Sequence, residues 1–542
     1  MRKAVLLVGI LALAGVASAQ TFVWPQKWTV AKPSEAKRGG TLRGYTISDY
    51  RTFNPFLTAE ADSVPEIISG DYGLVRRDPT TGDWIPYMAE SWTISPNKLE
   101  ITFKIRKGMK WSDGRPITAD DWIMTWRIHT DKAVGSNDYD NFFIDGKPIV
   151  LRKLDDYTIR FIYPKTDAEA FAIASFAPWP AHVFGPVYQK EGAEGIKKMW
   201  TLNEDPAKIV SAGPWVVESY RPGERVVLKR NPYFGEWNKD EAGNPLPYLD
   251  RYEIRIVKDV NAALAEFLAG NIDIFNPSTV DHISQIRQAV QQGRLDATIK
   301  VNASPVASSQ FMVFNWNKAS DPFKQSLFRS DKFRRAMSHL VNRQAVIDIV
   351  YGGLGTPMYS SVYPVLTQWI NPKVPKYEYD PKQAAKLLAE LGFTKKDREG
   401  YLVDSKGRRI EFNLATNAGN TQREQIAKLI VDEAKKVGVK VNFQAIDFNT
   451  LVGQLLSSGP DRPFDAIIIG LTGGGLDWPF GSNVVPCKGN LHMWNKSGQC
   501  LDPRETLMEK LSYQGRTELD FKKRVEIGYR MQKVEAALLP VL

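Results

Sequence analysis

Side chains able to make or break covalent bonds are sparse in this chain. Five histidines occur, His129, His182, His282, His339 and His492, and none sits in an H-E-x-x-H pattern. No G-x-S-x-G elbow is present either, so zinc-peptidase and serine-hydrolase chemistry both lack their usual parts. Cys487 and Cys500, with His492 between them, fall one ligand short of a four-coordinate zinc site. No metal ligand set, catalytic residue or cofactor is assigned. Spacing does leave open two carboxylates placed as in a glycosidase.

What stands out instead is a loop suited to holding a molecule without reacting with it. Gly470-Leu471-Thr472-Gly473-Gly474-Gly475-Leu476-Asp477-Trp478-Pro479 has glycines that let backbone N–H and C=O groups come close to a ligand. Thr472, Asp477 and Trp478 add a hydroxyl, a carboxylate and an aromatic face. A second loop, Asn417-Ala418-Gly419-Asn420, offers two amides. Trp478 reads equally as a stacking platform or as a core residue. Asp477 reads as a ligand contact or as a cap on the turn before Pro479.

The elements around these loops follow an α/β pattern. Residues 409–415 alternate apolar and polar as a strand, 421–436 form a helix, 439–445 a strand, and 464–471 a strand apolar on both faces. Open sheets of this kind bind ligands beyond the carboxyl ends of their strands. That rule selects 415–422 and 471–483. Earlier in the chain, strands are expected at 39–45, 99–105, 158–163, 214–220 and 225–230, and Thr118 is expected to cap a helix over 119–129. Residues 331–350 read as one long helix.

The 542 residues are 43% hydrophobic and 24% charged, with a net charge of +10. Basic residues are interleaved with acids, as in Lys395-Lys396-Asp397-Arg398-Glu399, without a nucleic-acid motif. Arg2 and Lys3, the apolar run 4–16 and Ala17-Ser18-Ala19 read as a cleaved signal peptide over 1–19. Residues 20–38 read as a loose leader. No Cys follows the cleavage site to carry a lipid, and the expected location is the periplasm. In that oxidising compartment Cys487 and Cys500 read as one local disulfide, with two free thiols as the alternative.

Several separated motifs resemble one known family, in order. They are Asn54-Pro55-Phe56 with Asp71-Tyr72-Gly73-Leu74-Val75, then Pro86–Trp92, then Ile105–Asp121. Gly213-Pro214-Trp215 with Pro222-Gly223 and Arg230–Phe234 follows, and then Lys332–Met337. Together they are similar to the extracellular solute-binding proteins of ABC importers, family 5, over nearly the whole mature chain. The resemblance implies a two-lobed α/β periplasmic-binding-protein fold, type II, of the large class with an extra subdomain. Lobe I would cover 39–305 with an insert at about 72–195, and lobe II 306–537, joined by a hinge. Leu538–Leu542 would begin a crossover back to lobe I, and the sequence given ends there.

The implied function is capture of a solute between the lobes and delivery to membrane permease subunits, by a monomer, with no nucleic acid involved. Expected ligand-binding residues are Asn54, Tyr72, Asn417, Asn420, Thr472, Gly473, Gly474, Asp477 and Trp478. For Asn54 a turn before Pro55 is the favoured reading. In dipeptide-binding members an acid and an arginine hold the peptide termini, and Gly474 and Asn417 stand at those positions here. A longer peptide held by its main chain is therefore expected, with an oligosaccharide as the alternative. The Cys487–Cys500 loop resembles a disulfide-closed loop of the family. A secreted hydrolase, a nickel or haem carrier, and a chaperone are the remaining rivals; the few histidines weigh against direct metal ligation.

Overall fold

The computed structural model describes residues 36–58, 63–69, 72–78, 82–300, 308–473 and 475–542. The expected signal peptide, residues 20–35 of the leader, and Gly474 lie outside them. Three four-stranded sheets organise the rest.

The first sheet places Thr41–Thr46 parallel to Arg251–Ile256, which continues antiparallel to Arg225–Arg230 and then Trp215–Arg221. The second, from the inserted segment, runs Ala89–Ile94, Glu100–Ile105, Thr158–Ile162 and Val150–Asp155, all antiparallel. The third runs Ser308–Phe314, Ala466–Thr472, Glu411–Asn417 and Lys440–Ile446. Its first pair is antiparallel and the other two are parallel. Ala466–Thr472 lies between two neighbours and its first four residues are buried, as an apolar run on a central strand requires.

Two large hydrophobic cores correspond to the two lobes. One joins the insert to the first sheet, around Phe103, Trp111, Trp122, Phe161 and Trp200. The other wraps the third sheet, around Phe314, Trp316, Trp369, Phe412 and Trp478. A smaller cluster around Leu264, Phe267 and Phe275 packs beside Tyr45.

Polar residues at segment starts fix many helices. Asp447, Asp502 and Asp520 each accept a backbone N–H of the helix they precede, satisfying a donor that the first turn leaves free. The same device corrects one expectation. Residues 331–350 form two helices, Asp331–Leu340 and Arg343–Ile349, because the Asn342 side chain accepts from Ala345 N and starts a new helix. Leu542 exchanges both backbone hydrogen bonds with Met312, so the last residues pair with the outer edge of Ser308–Phe314.

Candidate functional site

The parallel strands of lobe II end where the sheet rule places a ligand. Asn417 closes Glu411–Asn417 and is 2% exposed. Its Oδ1 accepts from Arg423 Nη1 at 2.8 Å, while Arg423 Nε donates to Gln310 Oε1 at 2.7 Å. Asn420 caps the helix Thr421–Val437 by accepting from Arg423 N at 3.1 Å. That cap sets the first turn and carries the Arg423 side chain back over the strand ends. Among the described residues Arg423 has no carboxylate partner. Burial therefore lowers its pKa to about 10, the nearby Tyr351 hydroxyl opposing the shift. A guanidinium thus stands beside the amide that replaces the expected arginine. Sequence matching by position missed it; helical geometry after an Asn420 cap was the available signal.

The loop also touches lobe I. Gly419 has φ +80°, and a Cβ there would lie 2.1 Å from the Lys258 carbonyl oxygen, so only glycine fits. Its own carbonyl accepts from Val260 N at 3.2 Å. Asn261 Nδ2 donates to Thr421 Oγ1 at 3.2 Å, and Gln422 donates to the Ser278 carbonyl.

The glycine loop is built differently. Thr472 ends its strand exposed, and Gly473 follows with φ +96°. Asp477 forms an ion pair with Arg77 and accepts from Trp84 Nε1 at 3.1 Å. Both partners belong to the hairpin Val75–Arg77 and Trp84–Pro86 of lobe I, and the Arg77 guanidinium lies 4.2 Å over the Trp84 ring. The Asp477 carboxylate is therefore matched by the protein itself. Trp478 is 1% exposed, edge-on to Trp369 at 5.7 Å and tilted on Phe480 at 4.8 Å. Its ring occupies the space a Gly515 Cβ would need. In this conformation it is a core side chain and offers no face to a solute.

Two lobe I residues from the expected set sit in packing positions. Asn54 is fully buried; it donates to the Ile196 and Met199 carbonyls at 2.7 and 3.1 Å and accepts from Phe56 N at 3.0 Å. That is the turn before Pro55. Tyr72 stacks on Tyr87 at 5.6 Å and meets Phe234 edge-on at 5.1 Å.

A cavity of about 740 Å³ in lobe II reaches the glycine loop and the first turn of the helix Thr421–Val437, with Ser308, Gln310, Tyr351, Gln422, Thr472 and Gly473 among its walls. The outer edge of the strand Ser308–Phe314, paired at Met312 with Leu542, borders it. Met312 turns its N–H and C=O outward to Leu542, and the alternation of an antiparallel ladder turns those of Gln310 and Ser308 the same way.

The lobes also meet away from this cavity. Arg516, on the lobe II helix Pro503–Thr517, is 2% exposed and grips Asp167 of the insert, Nη2 to Oδ2 at 2.9 Å and Nε to Oδ1 at 3.1 Å. The same guanidinium donates to the Phe143 and Asn141 carbonyls at 3.2 and 3.0 Å. Ala168 N donates to the Arg516 carbonyl at 2.8 Å, and Ser482 Oγ donates to Asn141 Oδ1 at 2.5 Å.

The sulfurs of Cys487 and Cys500 are bonded, with Cα atoms 5.2 Å apart. Glu509 and the pair His492 and Glu505 lie near them. The cysteines are spent in the disulfide, and His492 Nε2 is 3.0 Å from Glu505 Oε1, so these residues form a hydrogen-bonded staple. Among the described residues no helix is long and apolar enough to cross a membrane.

A lobe II cavity bordered by strand ends, with amides, a hydroxyl and a guanidinium that has no carboxylate partner among the described residues, suits a binding protein. The comparisons agree. The model of the bacterial extracellular solute-binding proteins, family 5, matches residues 83–488. A probable ABC transporter-binding protein of Deinococcus radiodurans is 48% identical over the whole chain and 92% of its own length. The oligopeptide-binding protein AppA of Bacillus subtilis is 27% identical, covering 87% of this chain and 80% of that protein. Its structure with a nonapeptide gives a TM-score of 0.77 at 24% identity, covering 93% and 92% of the two chains. The binding protein MelB of Agrobacterium fabrum, solved with stachyose, gives 0.75 at 22% identity, covering 93% and 79%. The chain belongs to family 5 of the bacterial extracellular solute-binding proteins, and it has the two-lobed α/β fold of that class. These relatives are named as binding proteins, that of D. radiodurans as a probable ABC transporter-binding protein.

Proposed function

We propose that this receptor captures an extended peptide between its lobes and delivers it to an ABC permease. One observation carries the reading: the outward main-chain groups of Ser308 and Gln310 line the lobe II cavity. An extended peptide can add to such an edge as a further strand, with affinity from main-chain hydrogen bonds. Arg423 supplies a charge for an anionic group of the peptide. Asp477, already paired with Arg77, leaves the amino end unread by a carboxylate. The oligopeptide-binding relative from B. subtilis supports the same solute class.

Residues 39–305 and 306–537 would be the bodies that close, and the segment 1–19 would direct export to the periplasm. Asn417, Asn420, Thr472 and Gly473 would line the cavity mouth, with Arg423 and Gln310 added to the set. Calorimetric titration with unstructured peptides of four to nine residues tests the reading. Micromolar or tighter binding is the expected result. Binding of manno- or galacto-oligosaccharides with no peptide binding would replace it with the second reading, which the cavity tyrosines Tyr351, Tyr359 and Tyr363 favour. Hydrolysis of either pool would overturn both.

A further inference from the structure

The contact between Arg516 and the insert joins two separate hydrophobic cores. The helix Pro503–Thr517 belongs to the lobe II core through Met508 and Leu511, and Asp167 lies between Tyr163 and Phe171 of the lobe I core. Neither side chain of the pair retains more than 3% exposure. Every arm of the Arg516 guanidinium is in use, on the Asp167 carboxylate and on two carbonyls. Its positive charge is therefore already matched.

Glu169 lies against the same contact. Its carboxylate is 3.8 Å from Arg516 Nε, with 14% of the side chain exposed. A Cβ on Gly475 would lie 2.8 Å from Glu169 Oε1, so the glycine loop of lobe II covers it closely. The charged groups facing it are Arg516 and Arg524 from the two lobe II helices, Asp477 from the loop, and Asp167 on its own segment. Tyr163, also buried, faces Asp167 and Arg516. Arg77 is committed to Asp477. Arg524 donates by Nη1 to the Glu518 carbonyl at 2.7 Å. The nearest cationic nitrogen, Arg516 Nε, stays 3.8 Å from the Glu169 carboxylate and is spent on Asp167, so closure strips water from an ionised Glu169 without supplying a hydrogen-bond donor among the described residues.

We infer that Arg516 is a positioning residue that latches the insert onto lobe II, and that closing this latch takes up one proton on Glu169. Solvent supplies the proton, which goes onto a carboxylate oxygen; opening returns it. Burial, with Asp167 and Asp477 reinforcing it against Arg516, raises the Glu169 pKa to about 8 in the closed form. In the open form the carboxyl faces water and titrates at the ordinary glutamate value, about 4.3. The closed form thus holds the extra proton between these values. Its advantage is complete below the lower one and is lost as pH rises through the upper one. The closed-to-open ratio falls by up to about tenfold per pH unit within that window. The latch needs no particular solute, so its success or failure is separate from that of the peptide reading.

Small-angle scattering of the solute-free protein from pH 5 to pH 9 tests it, with wild type, Glu169→Gln and Arg516→Lys compared. The expected result is a radius of gyration that grows with pH in wild type and stays small and constant in Glu169→Gln. Arg516→Lys, which keeps the charge but loses the fork, is expected to be expanded at every pH. A wild-type radius independent of pH overturns the proposal. So does a pH dependence that survives unchanged in Glu169→Gln.

Discussion

The two loops that carry the lobe II recognition groups both reach lobe I, but with different chemistry. The Asn417–Asn420 loop does so through neutral bonds: Gly419 to Val260, Thr421 to Asn261 and Gln422 to Ser278. The Gly473–Trp478 loop and the helix behind it add charges to neutral bonds such as Ala168 to Arg516: Asp477 pairs with Arg77 and Arg516 with Asp167. Neutral bonds are indifferent to pH and weakly sensitive to salt. Ion pairs respond to both, the exposed ones most strongly to salt. One margin is thus suited to staying attached while the other opens.

The largest effect that would break this contrast is Arg516→Ala. Removing one partner of a buried pair costs about 3–5 kcal/mol when the other stays buried. Here the cost is relieved by opening, so the variant should show an expanded radius by scattering at pH 6 with an unchanged circular-dichroism spectrum. Loss of the fold instead would make Arg516 structural. Next comes Arg423→Ala, which removes a charge-assisted hydrogen bond worth about 1.5–3 kcal/mol. Calorimetry should show roughly 10- to 150-fold weaker binding of peptides with a free carboxylate and little change for amidated ones.

Gly419→Ala should lower stability by about 1–2 kcal/mol, through positive φ and the clash with Lys258. A thermal melt should fall by a few degrees at every pH from 5 to 9, as befits the neutral margin. Smallest is Asp477→Asn. Its pair with Arg77 is 28% and 21% exposed, so about 1 kcal/mol is at stake. Solute affinity should drop several-fold at low salt, with the difference shrinking at 0.5 M NaCl.

Periodicity made the lobe II sheet legible in advance. The alternation at 409–415 and the apolar run at 464–471 lie within one residue or two of Glu411–Asn417 and Ala466–Thr472, because burial on one face or both writes itself into residue order. The strands expected at 214–220 and 225–230 were legible for the same reason, and they pair across Pro222-Gly223. What residue order does not carry is which partner a polar group finds. Asp477 meets Arg77 across 400 residues of chain. Arg423 reaches Asn417 only because a capped helix folds it back. The break at Val341–Asn342 was missed because a cap inside an apolar pattern looks like helix interior. Trp478 had two readings, and the depth of its ring beside Gly515 is a tertiary fact.

Trp84 gives the molecule a gauge of its own state. Its indole N–H is bonded to a carboxylate of the opposite lobe, and its ring lies under the Arg77 guanidinium. When the lobes part, that nitrogen exchanges a fixed anion for mobile water. Subtracting the emission of a Trp84→Phe variant from that of the parent isolates one fluorophore among 15 tryptophans. The wavelength of that difference spectrum would follow opening in real time without any attached dye.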